Sequence, residues 1–398
     1  MKYHVNHQNE IARKYTIKEI ISDHWEEFLE EMEEQGKPVR EVIIEEVEKV
    51  IHCQDISRGF ALYECPKCNK IKQVPFTCKS RFCNCCGSRY SKDRSLSMSA
   101  KLIKGEHRHV VFTIPEELRK YFAHDRTLLN LLFEAAADTI FFRFKRYNKS
   151  ENYIPGMICV LHTFGRDLKW NPHIHMILSE EAIGNSNKWK RFSHINYEGL
   201  RRSWQFCLLG ALSKKISTPK FKALVNKLYA DNKDGFYVNA PPVKNFSEGV
   251  INYIVRYAGR PVLAQSRITD YDGELVTFTY TPHGSDELVP ETLSAFEFIK
   301  KLIIHIPDRN FKMIRYYGFY AINSSKHQQY LHRIKRVDPC TLKKLRWIYR
   351  SWRQRIKQSF LYDPVKCHCG SYMVLIDIFK SSKAVAFYLA HTRFDNTA

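Results

Sequence analysis

Apolar residues recur at helical spacing through the first fifty residues. Between residues 16 and 35 the apolar positions are Ile17, Ile20, Ile21, Trp25, Phe28, Leu29 and Met32. Steps of three and four residues predict an amphipathic helix. Gly36 and Pro38 end this pattern, which returns over residues 39–53 and predicts a second helix.

Beyond residue 88 the pattern alternates between periodic helical stretches and short β-rich runs. The predicted helices cover residues 88–104, 126–147, 191–212, 217–230, 246–258 and 292–302. The predicted strands cover residues 109–115, 155–164, 172–178, 235–238, 262–268 and 275–280. A short glycine-containing turn at 165–169 joins two of these strands into a predicted hairpin. The last hundred residues are predicted to be helical, basic and aromatic, and the mixture of elements predicts an α+β fold.

The composition is that of a globular protein. The 398 residues are 44% hydrophobic and 26% charged, which excludes disordered and fibrous classes. No run of 18 apolar residues occurs, and the first residues lack the apolar core of a secretory signal. We therefore expect no membrane association and a cytoplasmic location, with the protein on the nucleoid when it is bound to DNA.

The charge is large and uneven. The formal net charge is +21, yet residues 1–50 carry 7 basic and 13 acidic side chains. The positive charge therefore lies in the remaining residues, and it indicates a polyanionic partner, for which nucleic acid is the first candidate.

Seven of the twelve cysteines fall between residues 53 and 86. Cys65 and Cys68 form one C-x-x-C pair, and Cys83 and Cys86 form another fourteen residues later. Two such pairs are typical of a zinc ribbon, so these four thiols are predicted to bind one structural zinc ion.

Other cysteines and basic residues surround these pairs. Cys53 and Cys78 are candidates for a second zinc ion, so one or two ions are expected. The basic residues Lys79, Arg81 and Arg89 are predicted to contact DNA phosphates. The cysteines in the sequence Cys367-His-Cys369 are predicted to be a degenerate remnant or ordinary thiols, and Cys159 and Cys207 are predicted to lie in the core.

Candidate catalytic chemistry lies in the hairpin. His173 and His175 are two positions apart on a predicted strand, so both imidazoles face the same side and can bind a metal ion. His162 lies on the partner strand and is the candidate third ligand. The alternative interpretation is a pair of histidines on a solvated strand face, where an isolated H-x-H pair also occurs.

Two tyrosines follow at helical spacing. Tyr253 and Tyr257 are four positions apart and share one face of the predicted helix. Arg256 and Arg260 flank them, and this combination suits attack of a phenol on a phosphodiester whose charge is neutralised by guanidinium groups. Paired aromatic residues at this spacing are also common in protein cores.

Four ordered motifs follow the cysteine-rich module. They are HVVFTIPEELR at 109–119, VLHTFGRDLKWNPHIHMIL at 160–178, YIVRYAGRPVLAQSRI at 253–268 and FEFIKKLIIHIPDRNFKMIRYYGFYA at 296–321. Together they resemble the HUH-type two-tyrosine rolling-circle transposases of the insertion-sequence ninety-one family, over roughly residues 50–325.

The resemblance implies a ferredoxin-like HUH endonuclease domain, preceded by a helical and zinc-ribbon module and followed by a basic helical region. We expect an acidic helical segment at 1–50, the zinc-binding module at 51–104, the endonuclease domain at 105–285 and the C-terminal region at 286–398. The Cys65, Cys68, Cys83 and Cys86 thiols match the zinc motif of the family. Phe60 stands where the family has a histidine.

The implied activity is cleavage and rejoining of single-stranded DNA. His173, His175 and His162 match the family's metal ligands for Mg or Mn, and Tyr253 and Tyr257 match its nucleophiles. The expected partners are single-stranded DNA, hairpin element ends and target DNA. A plasmid replication initiator or relaxase with the same chemistry, and a non-catalytic zinc-ribbon DNA-binding protein, are the alternatives.

Overall fold

The computed structural model describes most of the chain in two compact units. The described residues are 15–99, 101–103, 105–147, 149–192, 194, 196–241, 262–282, 284–334, 353, 357, 363–380 and 382–391. One unit comprises Met1–Lys92, Gly259–Ile306 and Lys344–Ala398, and the other comprises Asp93–Ala258 and Pro307–Lys343. We call them the cysteine unit and the histidine unit. Among the described helices, none is long and apolar enough to cross a membrane.

Helices and strands alternate along both units, which confirms the predicted α+β class. The helices are α1 (Ile17–Glu34), α2 (Glu41–Ile51), α3 (Asn84–Ser99), α4 (Glu116–His124), α5 (Leu129–Tyr147), α6 (Tyr197–Lys215), α7 (Pro219–Asp231), α8 (Ala295–Ile303), α9 (His327–Ile334) and α10 (Ser382–His391). The strands are β1 (Phe60–Glu64), β2 (Ile71–Pro75), β3 (His107–Phe112), β4 (Ile154–Phe164), β5 (Trp170–Ile183), β6 (Trp189–Arg191), β7 (Val238–Asn239), β8 (Ile268–Tyr271), β9 (Leu275–Tyr280), β10 (Val289–Ser294), β11 (Ile314–Gly318) and β12 (Val374–Phe379).

In the cysteine unit, the acidic helix α1 packs against α8 and against a sheet of order β10-β9-β8. A capping box starts α1, because the Thr16 hydroxyl accepts from the backbone N–H of Glu19 and the Glu19 carboxylate accepts from the N–H of Thr16. Its apolar face buries Trp25 and Phe28. The ring of His24 forms a 2.9 Å hydrogen bond with the hydroxyl of Tyr271.

A second sheet of the cysteine unit has the order β12-β1-β2, with antiparallel neighbours. The middle strand β1 is therefore completed by a strand from near the end of the chain. Phe60 of β1 stacks on Phe379 of β12 at 4.9 Å and meets Tyr388 of α10 edge-on at 5.5 Å. These aromatic contacts bury Phe60 completely and join the C-terminal residues to the cysteine-rich module.

The histidine unit is built on a sheet of order β11-β4-β5-β3-β7, with β6 paired to β5. Side chains alternate between its faces. Met157 and Cys159 enter a large core that also contains apolar residues of α5 and α6. Ile158 and Val160 enter a smaller core with Phe319 on the opposite face. The two faces of the sheet are therefore covered by different apolar clusters.

The structure confirms most of the predicted helices and strands and changes the bounds of a few. The predicted strand 262–268 begins later, as β8, after a short 3₁₀ turn at Gln265–Arg267. The C-terminal region contains strands β11 and β12 besides helices. Both strands pair with partners far away in sequence, so local periodicity carries little signal for them. The predicted helix 246–258 lies outside the described residues.

Candidate active site and zinc centres

Three imidazoles meet where β4 and β5 pair. His162 lies opposite His173 in the strand register, and His175 lies opposite Val160. Because alternate residues of a strand share a face, all three rings point to the same side while Ile174 enters the large core. Their candidate ligand nitrogens lie within 4.8 Å of one another. The structure therefore brings the three histidines of the sequence hypothesis together.

Hydrogen bonds set the tautomer of the first ligand. Nδ1 of His173 donates to the carbonyl oxygen of Asn171 at 2.7 Å, so Nε2 of His173 presents a lone pair. This Nε2 lies 3.0 Å from Nε2 of His175. Two imidazole nitrogens bound at right angles to one metal ion at about 2.1 Å are separated by about 3.0 Å. The geometry of these donors therefore fits a divalent ion.

A fourth histidine, His109 of β3, supports the cluster. Its Nε2 lies 2.8 Å from Nδ1 of His175, and the two rings stack at 14° with centroids 5.1 Å apart. When Nε2 of His175 serves as a ligand, Nδ1 carries the proton and donates to His109. Sequence reasoning missed His109 because it lies 66 positions from His175. Alternation in the motif HVVF, which places it on the same face as Val111, could have indicated it.

The environment keeps these rings neutral. Burial, with a smaller effect from His173, lowers the pKa of His109 to about 4. Burial and the neighbouring imidazoles hold the pKa values of His162 and His175 well below the ordinary range. Burial also lowers the pKa of His173, the Asn171 carbonyl raises it and the charge of Arg119 lowers it again. Neutral imidazoles at neutral pH are the form that binds metal ions.

Arg119, at the middle of α4, brings a positive charge to the cluster. Helix α4 packs on β5, and the charge of Arg119 lowers the pKa of His173. The Nε atom of Arg119 is buried without a hydrogen-bond partner among the described residues. The indole of Trp170 donates to the Arg119 carbonyl at 3.1 Å and fixes α4 beside β5. A cation next to neutral imidazoles favours an anionic substrate such as a phosphodiester.

The predicted nucleophiles lie outside the described residues. Tyr253 and Tyr257, with Arg256 and Arg260, fall within residues 242–261. The described chain before this segment is held against the sheet, because Arg108 of β3 donates to the carbonyl of Ala240 at 3.1 Å.

The predicted DNA-binding residues of the cysteine unit have different environments. Lys79 is exposed. Arg81 is partly buried: burial lowers its pKa, while the charges of Tyr90 and Glu46 raise it. The side chain of Arg89 lies outside the described part of the structure. Their contacts with DNA stay a prediction.

Four thiols of the cysteine unit form a first metal-binding group. Cys53 follows α2, Cys78 follows β2, and Cys83 and Cys86 lie at the start of α3. Their sulfur atoms are 3.6–3.8 Å apart in three pairs, far beyond the 2.05 Å of a disulfide. In a tetrahedral Zn–S₄ site with bonds of 2.3 Å, sulfurs are about 3.8 Å apart. The donor set therefore fits zinc.

The structure corrects the expected pairing of the cysteines. Cys65 and Cys68 do not share a group with Cys83 and Cys86; they join Cys367 and Cys369. The physical reason is the pairing of β1 with β12, which brings the C-terminal turn to the end of β1. Cys367 and Cys369 are thus part of a four-thiol group rather than a remnant.

The remaining two cysteines of the sequence hypothesis lie in the histidine unit. Cys159 is buried in its core, as expected, and burial raises its pKa above the ordinary range. Cys207 is half-buried and packs against that core from α6.

Comparison with known families gives two matches. A family model described as a putative transposase matches residues 156–329. A model described as a transposase zinc-binding domain matches residues 20–114. The first range contains the three histidines and both tyrosines, and the second contains all four thiols of the first group.

Two curated relatives agree with these matches. The transposase for insertion sequence element IS801 of Pseudomonas savastanoi pv. phaseolicola is 29% identical over 363 residues, which cover 86% of this chain and 85% of that protein. The putative transposase y4qJ of Sinorhizobium fredii (strain NBRC 101917 / NGR234) is 26% identical over 289 residues, which cover 67% of this chain and 71% of that protein. No solved structure matches the chain.

The fold, the thiol groups and the matched regions define a transposase with an N-terminal zinc-binding domain. The two matched domains and the similarity to a curated transposase over 86% of the chain support a transposase of the insertion-sequence ninety-one family, in agreement with the resemblance of its motifs.

Proposed function

We propose that this transposase cleaves and rejoins single-stranded DNA through a 5′-phosphotyrosine intermediate, in a rolling-circle type of transposition. The convergence of His162, His173 and His175 is the observation that carries the proposal. Three neutral imidazoles beside the cation of Arg119 form a site for a metal ion and an anionic phosphodiester.

His162, His173 and His175 would hold a divalent ion, Mg or Mn, with their imidazole nitrogens. Imidazole donors favour Mn over Mg because nitrogen is a softer ligand than carboxylate oxygen. When bound, the ion polarises the scissile phosphate. The residues of the chain do the rest: His109 orients His175, and Arg119 supplies a positive charge close to the cluster.

Tyr253 or Tyr257 would act as the nucleophile. Attack by the phenol oxygen on phosphorus forms the tyrosine O–P bond and breaks the P–O3′ bond. The phenol proton passes to solvent, and the departing 3′ oxygen takes one up to become a free 3′-OH. Because the phosphotyrosine keeps the phosphodiester energy, the second tyrosine could hold another DNA end and strand transfer would need no ATP.

The charge of the chain supports DNA as the partner. The formal net charge of +21 favours a polyanion, and Lys79 in the zinc-binding domain is exposed. We propose that the zinc-binding domain and the basic C-terminal region contact hairpin element ends and target DNA, while the histidine site acts on a single strand.

An adduct assay tests the cleavage chemistry. Labelled single-stranded oligonucleotides spanning the ends of the parent element are incubated with the full chain in Mg or Mn and run on a denaturing gel. The wild type should give a covalent protein–DNA band. The band should be absent from His173→Ala and from the double variant Tyr253→Phe/Tyr257→Phe. The control Tyr229→Phe, which changes a partly exposed tyrosine of α7, should keep it.

The outcomes separate the alternatives. Loss of the adduct in one single tyrosine variant identifies the first nucleophile, and loss in the double variant alone means that either tyrosine attacks. If wild type binds the oligonucleotide but forms no adduct with either metal, the cleavage proposal fails and a non-catalytic DNA-binding protein replaces it.

A further inference from the structure

A second group of four thiols joins residues from both ends of the described chain. Cys65 and Cys68 lie in the turn between β1 and β2, whereas Cys367 and Cys369 lie just before β12. The sulfur of Cys65 is 3.5 Å from that of Cys369, and the sulfur of Cys68 is 3.6 Å from that of Cys367. The first of these pairs spans 304 positions in sequence.

A tight backbone turn closes around each pair of thiols. The N–H of Asn69 donates to the carbonyl of Cys65 at 2.8 Å, and the N–H of Gly370 donates to the carbonyl of Cys367 at 3.0 Å. Asn69 and Gly370 each follow the second cysteine of their pair, and both have a left-handed φ, 53° and 86° respectively. Glycine and asparagine tolerate this conformation best. The first hydrogen bond spans four residues and the second three, so two tight turns of different length each present two thiols to the same point.

Strand pairing fixes the two turns against each other. In the antiparallel ladder of β1 and β12, Glu64 lies opposite Val374, next to both turns. The ammonium of Lys72 donates to the carbonyl of Pro364 at 2.9 Å and interacts electrostatically with Cys367. A lysine near the thiols offsets the negative charge that four thiolates bring to a divalent ion.

The distances between the sulfur atoms indicate a metal site rather than a disulfide. Sulfur atoms about 3.5 Å apart are too distant for a disulfide and close to the roughly 3.8 Å of a tetrahedral Zn–S₄ site. Cys65 and Cys367 are buried, and Met373 and Tyr63 pack around them. A site with four protein thiols as ligands is typical of structural zinc.

We propose that Cys65, Cys68, Cys367 and Cys369 bind a zinc ion of their own, and that this ion fastens the C-terminal residues 363–391 to the zinc-binding domain. The matched zinc-binding domain ends at residue 114 and the matched transposase region at 329, so two of the four ligands lie beyond both. The complete zinc-binding module therefore includes Cys367 and Cys369. The proposal is independent of the cleavage chemistry.

Residue-resolved alkylation of the full-length wild type tests the proposal. Zinc content is measured on protein purified with a non-chelating reductant, and thiols are then labelled with iodoacetamide before and after a strong chelator. We expect two zinc ions per chain and protection of all four thiols of the second group. Chelation should expose Cys65, Cys68, Cys367 and Cys369 to label together. Because no residue is changed, misfolding of a variant cannot produce this result.

Variants test the stoichiometry independently. The double variant Cys367→Ser/Cys369→Ser should bind one zinc ion instead of two, and Cys207→Ser, which changes a thiol outside both groups, should still bind two. One zinc ion per wild-type chain would overturn the proposal. So would labelling of Cys367 and Cys369 at the same rate with and without the chelator.

Discussion

His109 gives a sharp test of the histidine site. Replacing it with leucine keeps a side chain of similar size but removes the nitrogen that lies 2.8 Å from Nδ1 of His175. The buried Nδ1–H of His175 then has lost its acceptor, and the ring is free to present the wrong tautomer. Replacing His109 with glutamine keeps an acceptor on a side chain that can reach the same position, so it is the matched control.

The expected loss of metal affinity in His109→Leu follows from the position of His109. It orients a ligand and is not one of the three convergent imidazoles, and loss of such a partner typically costs 10- to 100-fold in metal affinity. That range corresponds to about 1.4–2.7 kcal/mol of binding free energy. Because burial keeps the pKa of His109 at about 4, the ring is neutral above pH 5 and the effect should not depend on pH between 6 and 8.

Calorimetric titration of Mn into the metal-free full chain measures this affinity, and the adduct assay at limiting and saturating Mn gives a second readout. His109→Leu should bind Mn 10- to 100-fold more weakly, and excess Mn should restore its adduct. His109→Gln should stay within about threefold of wild type. Wild-type affinity in His109→Leu would refute the positioning role. An equal loss in the glutamine variant would show that the hydrogen bond is not what matters.

Three further predictions concern the sheet beneath the site. Arg108→Ala should lower the free energy of unfolding of the histidine unit by about 3 kcal/mol in urea titrations, because it removes the 2.8 Å partner of the buried Glu180 carboxylate and leaves it only Arg191 at 3.9 Å. A loss below about 1 kcal/mol would contradict this. Burial lowers the pKa of His107 from 6.5 to about 4, so at falling pH the unfolded state is protonated at this residue before the folded state. The free energy of unfolding should therefore decrease by about 3 kcal/mol as the pH falls from 6.5 to 4. This slope should flatten in His107→Gln, and an unchanged slope would rule out His107 as its source. Gly318→Ala should lower the free energy of unfolding by more than about 2 kcal/mol, because φ is +60° and a Cβ atom would lie 1.6 Å from a carbonyl oxygen. Gly210→Ala, with open space around it, should instead raise the free energy of unfolding by about 0.5–1 kcal/mol. Similar melting temperatures for the two variants in thermal unfolding would contradict the steric role of Gly318.

Local patterns predicted the elements that carry the histidines. The alternation around His173 and His175 fixes which side of β5 they face, and the short turn before residue 170 makes β4 its neighbour. The hairpin of β4 and β5 is formed by residues close together in the sequence. The sequence alone was therefore enough to predict that His162 would lie beside His173 and His175. The α+β class followed from the same periodicities.

Long-range pairing could not be predicted in the same way. The sequence offered two adjacent C-x-x-C pairs, and their closeness along the chain suggested that Cys65 and Cys83 share an ion. The ladder between β1 and β12 separates them and supplies Cys367 instead. His109 and Arg119 were missed for a related reason: a single histidine or arginine has no distinctive spacing, and only the pairing of β3 with β5 and the packing of α4 on β5 give them neighbours.

The pairing of β1 with β12 also sets an order on synthesis. Glu64 of β1 leaves the ribosome about 300 residues before its partner Val374, which at 5–20 residues per second is a delay of roughly 15–60 seconds. During that time one edge of the middle strand has no partner from its own chain. The sheet of the zinc-binding module can close only after β12 has been synthesised, so a chain terminated before residue 374 would contain the three histidines but lack a complete module.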